Sequence, residues 1–239
     1  MILIEGPGFL GLSARGRTPE IKCPRNARHF IQVHTAIWWA TWRSADAATR
    51  RGPVGDWCAV EERVEIRRLA RMELPRVGEI DRTEHIELLY EQRGTELVER
   101  PGTWSASAWD PDGHGEHSVE AKRHELEHYV DAGGMAFGAF VDGRLVGVGV
   151  VVPHLRPAVA QLAFLHVTQT FRGAGIGSRL SDELEQVAHG AGDSAMVVSA
   201  TPSAHTVRFY QGRGFELMAQ PLPELFEREP EDVHMRKAL

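Results

Sequence analysis

Between an apolar run and a segment of helical pattern stands Phe171-Arg172-Gly173-Ala174-Gly175-Ile176-Gly177-Ser178-Arg179-Leu180. Three alternate glycines weaken regular structure by roughly 0.5–1 kcal/mol each relative to alanine, so they imply a backbone that turns tightly or meets a ligand closely. The chemistry open to such a turn is anion binding. Successive main-chain N–H groups, with about half a positive charge at the helix N-terminus, suit a phosphate or diphosphate. Spacing excludes two familiar phosphate loops. A P-loop ends in Gly-Lys-Ser/Thr, whereas Gly177 precedes Ser178 and Arg179; a dinucleotide fold needs G-x-G-x-x-G, whereas this turn is G-x-G-x-G.

A second constellation belongs to a different enzyme class. His124-Glu125-Leu126-Glu127-His128 spells the H-E-x-x-H of zinc peptidases, with two histidines one helical turn apart and a glutamate to activate water. Charged Glu127 lies between the ligands, Val119, Leu126 and Val130 fall largely away from both histidines, and no third ligand follows. A solvated helix face accounts for the pair, so no metal is expected. The stretch Trp109-Asp110-Pro111-Asp112-Gly113-His114-Gly115-Glu116-His117 joins an aromatic ring to carboxylates, a surface that attracts a cationic amine and equally an ordinary polar loop.

The elements that must position these groups follow from periodicity and breakers. Residues 64–74 alternate as a strand, and residues 80–94 space Ile80, Ile86, Leu89 and Tyr90 as a helix. Residues 104–118 form a loop broken by Pro111 and Gly113, and Ser118 caps a helix that runs to about Ala132 before Gly133-Gly134. Asp142-Gly143 joins two strands within residues 136–152, a strong hairpin signal. A strand over 158–167, the glycine turn with its helix, a strand over 195–200, a helix over 203–214 and closing strands over 214–219 and 232–239 complete a mixed α/β pattern.

The chain has 239 residues, 42% hydrophobic and 25% charged, ordinary for a globular protein with a proper core. No apolar run approaches the roughly 20 residues of a membrane span, and the opening residues lack the basic n-region of a signal peptide. A cytoplasmic protein without a membrane partner is expected; Cys23 and Cys58 show no metal spacing. Residues 1–59 carry a net charge of +4 and the remainder −10, which disfavours nucleic acid and suits a cationic partner. The first 59 residues are irregular, with Trp38, Trp39 and Trp42 as their one dense apolar patch. That patch could be an interfacial or partner-binding helix; a short packing helix, or an over-long reading frame ahead of Val60, explains it more simply.

Arg172-Gly173-Ala174-Gly175-Ile176-Gly177 resembles the Q/R-x-x-G-x-G/A signature of the GCN5-related N-acetyltransferase (GNAT) superfamily. Residues 199–215 resemble its second signature, a strand and a helix ending in Tyr-x-x-x-Gly-Phe, here Tyr210, Gly214 and Phe215. The upstream hairpin and the strand at 161–167 also follow the family's order, so the resemblance covers about residues 60–239, with residues 1–59 as an extension. It implies an α/β fold, a mixed and mostly antiparallel sheet with splayed central strands flanked by helices. It further implies acetyl-coenzyme A as co-substrate. The pantetheine would pair with the backbone of Leu165, His166 and Val167 as a false edge strand, and the diphosphate would sit on Arg172, Gly173, Ala174, Gly175, Ile176, Gly177 and Ser178.

The reaction implied is acetyl transfer to a primary amine by direct attack in a ternary complex, with a small cationic acceptor favoured by the acidic body. An alkyl amine of pKa about 10.4 is neutral in roughly one molecule in 2,500 at pH 7, a cost of about 4.6 kcal/mol, so a base or water relay must be near. The resemblance assigns Tyr210 to the departing thiolate as general acid or hydrogen-bond donor. His166 or, through water, Glu84 and Glu87 on the first helix are candidates for the base, because Gln161 on the same strand as His166 cannot take a proton. Ser203 stands where the family commonly binds the cofactor through asparagine, and it could instead cap the helix. A third function class keeps this fold as a non-catalytic acyl-coenzyme A-binding module. A homodimer through the sheet edge or the last strands is compatible with all of these features.

Overall fold

In the computed structural model of the chain, residues 64–113, 115 and 117–239 are described. The expected extension over residues 1–59, its tryptophans and both cysteines lie outside these residues, as do His114 and Glu116 of the aromatic loop.

A dense run of β-branched residues forms the centre of the sheet, as expected where both faces are covered. The strands are β1 (Glu65–Arg68), β4 (Met135–Val141), β5 (Arg144–Arg156), β6 (Val159–Val167), β7 (Ala195–Ala200), β8 (Glu216–Leu217) and β9 (Val233–Ala238), in the order β1-β4-β5-β6-β7-β9-β8. Every pairing is antiparallel except β6–β7. A separate hairpin joins β2 (Glu84–Arg93) to β3 (Glu96–Ala106). Helix α1 (Val119–Asp131) buries Leu126 and Tyr129 against one face, while α2 (Ile176–Ala191) buries Leu180 and Leu184 in clusters with residues of β4 to β7. Helices α3 (Ala204–Gly212) and α4 (Pro223–Arg228) complete the set.

Local signals hold where chemistry dictates them. Asp142 and Gly143 both adopt positive φ (50° and 79°), as a two-residue I′ hairpin turn requires. Ser118 caps α1 by accepting from the Ala121 N–H at 3.0 Å.

Three expectations need correction. Residues 80–94 are not the first helix: Glu84–Arg93 is a strand. Its register with β3 shifts between Ile86 and Leu88, where Gly102 and Thr103 of β3 stand opposite Glu87 alone, so the extra residue lies on β3 and the alternation of β2 is unbroken. The three-residue spacing of Ile86 and Leu89 imitates a helix without forming one, and Glu84 and Glu87 are strand residues. The strand expected over 64–74 ends at Arg68, beyond which Arg71–Glu79 is a 3-10 turn around Pro75. The supposed loop from 104 begins inside β3, which runs to Ala106.

The feature that matters for function is a break between neighbours. β6 pairs with β7 only through Val159, Ala160 and Gln161, after which the parallel strands part, while β6 stays joined to β5 as far as Val167. Residues Leu162 to Val167 thus present an unpaired backbone edge to the gap.

Candidate active site

The gap is a cleft of about 550 Å³, with β6 on one side, β7 and α3 on the other, and the glycine turn at one end. Gly173 and Gly175 adopt φ of 82° and 77°, which L side chains rarely tolerate, and Gly175 is the N-cap of α2. Gly177 has ordinary helical geometry; a Cβ there would stand 3.5 Å from the Phe209 ring and 3.7 Å from Val167, both cleft residues. Two of the three alternate glycines therefore serve the turn, and the third keeps space open.

From Gly173 to Ser178 no main-chain N–H has a hydrogen-bond acceptor among the described residues; the next, Arg179 N–H, donates to Gly175 C=O at 3.0 Å. No acidic residue stands in the first turn of α2. A row of free donors at a positive helix end fits an anion. Arg172 departs from expectation. Its N–H donates to Gln169 C=O, its Nε donates to Val167 C=O at 3.1 Å, and its guanidinium pairs with Glu84 at 2.7 Å. The donor row begins at Gly173, and Arg172 ties the turn to β6 and β2 instead. Ala174 and Ile176 send their side chains into the core and contribute backbone only.

Along β6, Leu165 and Val167 pack toward α2, so His166 points to the other face. The imidazole lies 6.2 Å from the Trp109 ring and 6.3 Å from that of Phe164. Burial, reinforced by the charges of Arg172, Arg82 and Lys122, lowers its pKa to about 3. A neutral imidazole that weak in basicity does not deprotonate an ammonium, so the expected base role is not supported at this position.

Tyr210 sits on α3 between the Phe209 and Phe215 rings, at 5.1 and 5.4 Å with edge-on geometry, and lines the cleft. Burial, with a smaller effect from the Asp232 charge, pushes its hydroxyl well above the usual phenol range. It therefore keeps its proton near neutral pH and is an O–H donor.

Two carboxylates on the segment between α4 and β9 line the same cleft, and both were absent from the sequence-based candidates. Burial raises Glu229 above its ordinary value; burial and the Glu229 charge push Asp232 up to about 7. The acid-rich run Glu227-Arg228-Glu229-Pro230-Glu231-Asp232 ahead of the last strand was the available signal.

The remaining candidates separate. Glu84 lines the cleft, paired with Arg172, whereas Glu87 is exposed and does not. Ser203 is buried and caps α3: its Oγ accepts from Thr206 N–H at 3.2 Å and donates to the Thr206 hydroxyl at 2.9 Å, so it is not part of the cleft wall. His124 is exposed and pairs with Glu120 at 2.9 Å, His128 is exposed, and Glu125 is engaged by Lys122. Among the described residues no group of three His, Cys, Asp or Glu side chains could hold a metal, and no helix is long and apolar enough to cross a membrane.

By sequence, residues 101–215 match the family model described as Acetyltransferase (GNAT) family. No curated protein matches the chain. Among solved structures, a nourseothricin acetyltransferase is 18% identical, with 74% of this chain and 98% of that chain covered at a TM-score of 0.56. A Bacillus anthracis protein assigned as a streptothricin acetyltransferase, solved with acetyl coenzyme A, is 15% identical over 72% of this chain and 95% of that one, at 0.53. A GNAT-family acetyltransferase of Staphylococcus aureus is 15% identical over 74% and 99%, at 0.51. At such identities the likeness is one of fold.

Proposed function

Residues 101–215 belong to the GNAT acetyltransferase family, and from that premise we propose that this protein moves an acetyl group from acetyl-coenzyme A to the primary amine of a small cationic acceptor, by direct attack in a ternary complex. The observation that carries the reading is the row of free N–H groups from Gly173 to Ser178 beside the unpaired edge of β6. The one calls for a diphosphate and the other for an extended amide-bearing chain, and in the coenzyme the two are joined. A bacterial protein of the same fold holds acetyl coenzyme A, which supports the choice. The catalytic unit is taken as residues 60–239, and residues 1–59 as an extension.

The chain's own groups divide the work. Leu165, His166 and Val167 offer backbone to the pantetheine, and Gly173 to Ser178 grip the diphosphate. The Val167 carbonyl already accepts from Arg172, so Arg172 shares or yields it on binding. Tyr210, held protonated, stabilises the departing thiolate through its O–H. Glu84 and Glu125 are paired with the cleft bases Arg172 and Lys122, so Glu229 and Asp232 are the acids that favour a cation in the acceptor region.

Calorimetry with acetyl-coenzyme A, followed by thiol release against a panel of primary amines, tests the reading. Saturable binding and amine-dependent thiol release are expected, and Tyr210→Phe should lower kcat at least tenfold while leaving coenzyme affinity within about twofold. Absence of binding would remove the proposal; binding without release on any amine would favour a non-catalytic module.

A further inference from the structure

Beside the cleft lies a second and larger cavity of about 840 Å³, between the β2–β3 hairpin and the segment joining β8 to β9. Trp104, Thr201 and Asp232 line both spaces, so the two meet at these residues. We propose that the acceptor enters through this second cavity, as a primary amine whose body carries a further positive charge, and that the Asp232 carboxylate at the junction takes the proton from the reacting nitrogen. This rests on the acetyltransferase reading above.

Three features of the cavity point to that class of molecule. Only three large apolar side chains among the described residues are exposed, Met72, Trp104 and Phe226, and the last two line this cavity at 42% and 48% exposure. Exposed rings rimmed by carboxylates mark a binding surface and favour cations over their faces. The lining charge is negative: Glu91, Glu231 and Asp232 line the cavity with Arg100, which is spanned between Glu91 at 3.8 Å and Glu231 at 3.6 Å, and Glu91 also pairs with Arg93 at 2.7 Å, which leaves Glu231 and Asp232 to carry the excess. Finally, the space exceeds what an amino group needs, so it suits the rest of an extended acceptor.

The position of Asp232 supplies the base the reaction lacks. It shares the cleft with Tyr210, whereas His166 holds no usable basicity and Glu84 is committed to Arg172. The acceptor arrives as an ammonium; one N–H bond breaks and its proton passes to Asp232, leaving the nitrogen lone pair to attack the thioester carbon. A C–N bond forms, the C–S bond breaks, and the second amine proton is taken up by the departing thiolate under the hydrogen bond from Tyr210. The products are an amide and a thiol, and Asp232 returns its proton to water. Burial, by raising this carboxyl, narrows the gap to the ammonium while leaving a substantial ionised fraction at neutral pH.

The test uses the full chain with acetyl-coenzyme A and four amines: a linear diamine, a monoamine and an aminoalkanoate of equal length, and trifluoroethylamine, already neutral at pH 7. Wild type should prefer the diamine at least tenfold in kcat/KM, and combined Glu91→Gln and Glu231→Gln should cut that preference to about twofold. Asp232→Asn should lose at least 100-fold in kcat on the diamine, with calorimetric affinity for acetyl-coenzyme A within twofold, and under tenfold on trifluoroethylamine, which needs no proton removed before attack. Asp232→Glu, which keeps a carboxylate, should be more active than Asp232→Asn; it decides the matter if the asparagine variant fails to bind coenzyme. Equal losses on all amines, or a retained rate in Asp232→Asn, overturn the base assignment. Preference for the monoamine or aminoalkanoate overturns the assignment of the second cavity. Wild type that never binds acetyl-coenzyme A sinks the underlying reading instead, a result distinguishable from both.

Discussion

Helix α2 holds two glycines whose replacement by alanine separates a ligand cradle from a merely permissive turn. Gly190 lies near the C-terminal end, where an added methyl would have no atom within 4 Å, and Gly177 lies in the first turn with ordinary helical φ. Alanine at Gly190 removes the conformational penalty of glycine, about 0.5–1 kcal/mol. For a domain of this size that raises Tm by about 1–4 °C. Alanine at Gly177 gains a similar or smaller amount, because its Cβ meets Phe209 at 3.5 Å, an ordinary contact. Neither change is expected to harm folding.

Ligand affinity should part the two. The Gly177 methyl would stand between Phe209 and Val167, in the passage along which the free N–H groups must meet an anion. Displacing the diphosphate there sacrifices one or two hydrogen bonds to a charged group, about 1.5–3 kcal/mol each. Since 1.4 kcal/mol is about tenfold in affinity, Gly177→Ala should weaken coenzyme A binding by about tenfold if one weak bond is lost and by up to about ten-thousandfold if two strong ones are. Gly190→Ala should bind as wild type does. Calorimetry with coenzyme A and thermal melts of both variants provide the readout. If Gly177→Ala is as stable as expected and binds coenzyme A like Gly190→Ala, the amide row does not hold the diphosphate and the assignment built on it falls.

Asp232 has its carboxyl raised from 3.8 to about 7, so it favours the folded state below pH 4 and loses that contribution as pH climbs toward 7; the full shift corresponds to roughly 4 kcal/mol as an upper bound. Asp232→Asn should therefore raise Tm at pH 8 and change it little at pH 4, and a rise independent of pH in thermal melts would contradict the buried-acid account. Leu184→Ala removes a side chain with no exposed surface from the contact of α2 with the sheet and should cost about 2–5 kcal/mol in urea unfolding. His124→Ala, at an exposed helix position, should change stability by less than about 0.5 kcal/mol and leave acetyl transfer intact; loss of a stoichiometric bound zinc on this substitution would revive the peptidase alternative.

What could be read from the residues is what local sterics dictate. Positive φ at Asp142, Gly143, Gly173 and Gly175, the Ser118 cap and the glycine that ends α2 each depend on a residue type at one position, and each appears where the sequence places it. Element order follows, and with it the setting of the glycine turn and of Tyr210. Period-based readings failed where a tertiary contact displaced the period. The hairpin strand β2 pairs with a bulged β3 and is held by contacts from distant segments: Tyr90 N–H donates to Pro202 C=O, and the Gln92 amide donates to the carbonyls of Met218 and His234. No window of sequence contains those partners. The basicity of His166 was illegible for the same reason, because Arg82, Lys122 and Trp109 come from three separate segments to bury it among like charges.

The two halves of the active centre differ in how widely their physics is shared. Gripping a diphosphate and an extended amide chain needs backbone geometry, which a short glycine pattern and a broken parallel pair specify wherever they recur; those parts lie within residues 101–215, the span that matches the family. The second cavity draws mainly on residues outside that span, Leu89 to Arg100 before it and Met218 to His234 after it, and its character rests on side chains. A coenzyme can thus be inferred from the common scaffold, while the proposed choice of acceptor falls to Trp104, Phe226, Glu231 and Asp232, which meet only when the hairpin and the segment ahead of the last strand are brought together. The identity of the acceptor is accordingly a question for substitutions in those two segments, and changes there should redirect substrate choice while coenzyme affinity stays where the glycine turn sets it.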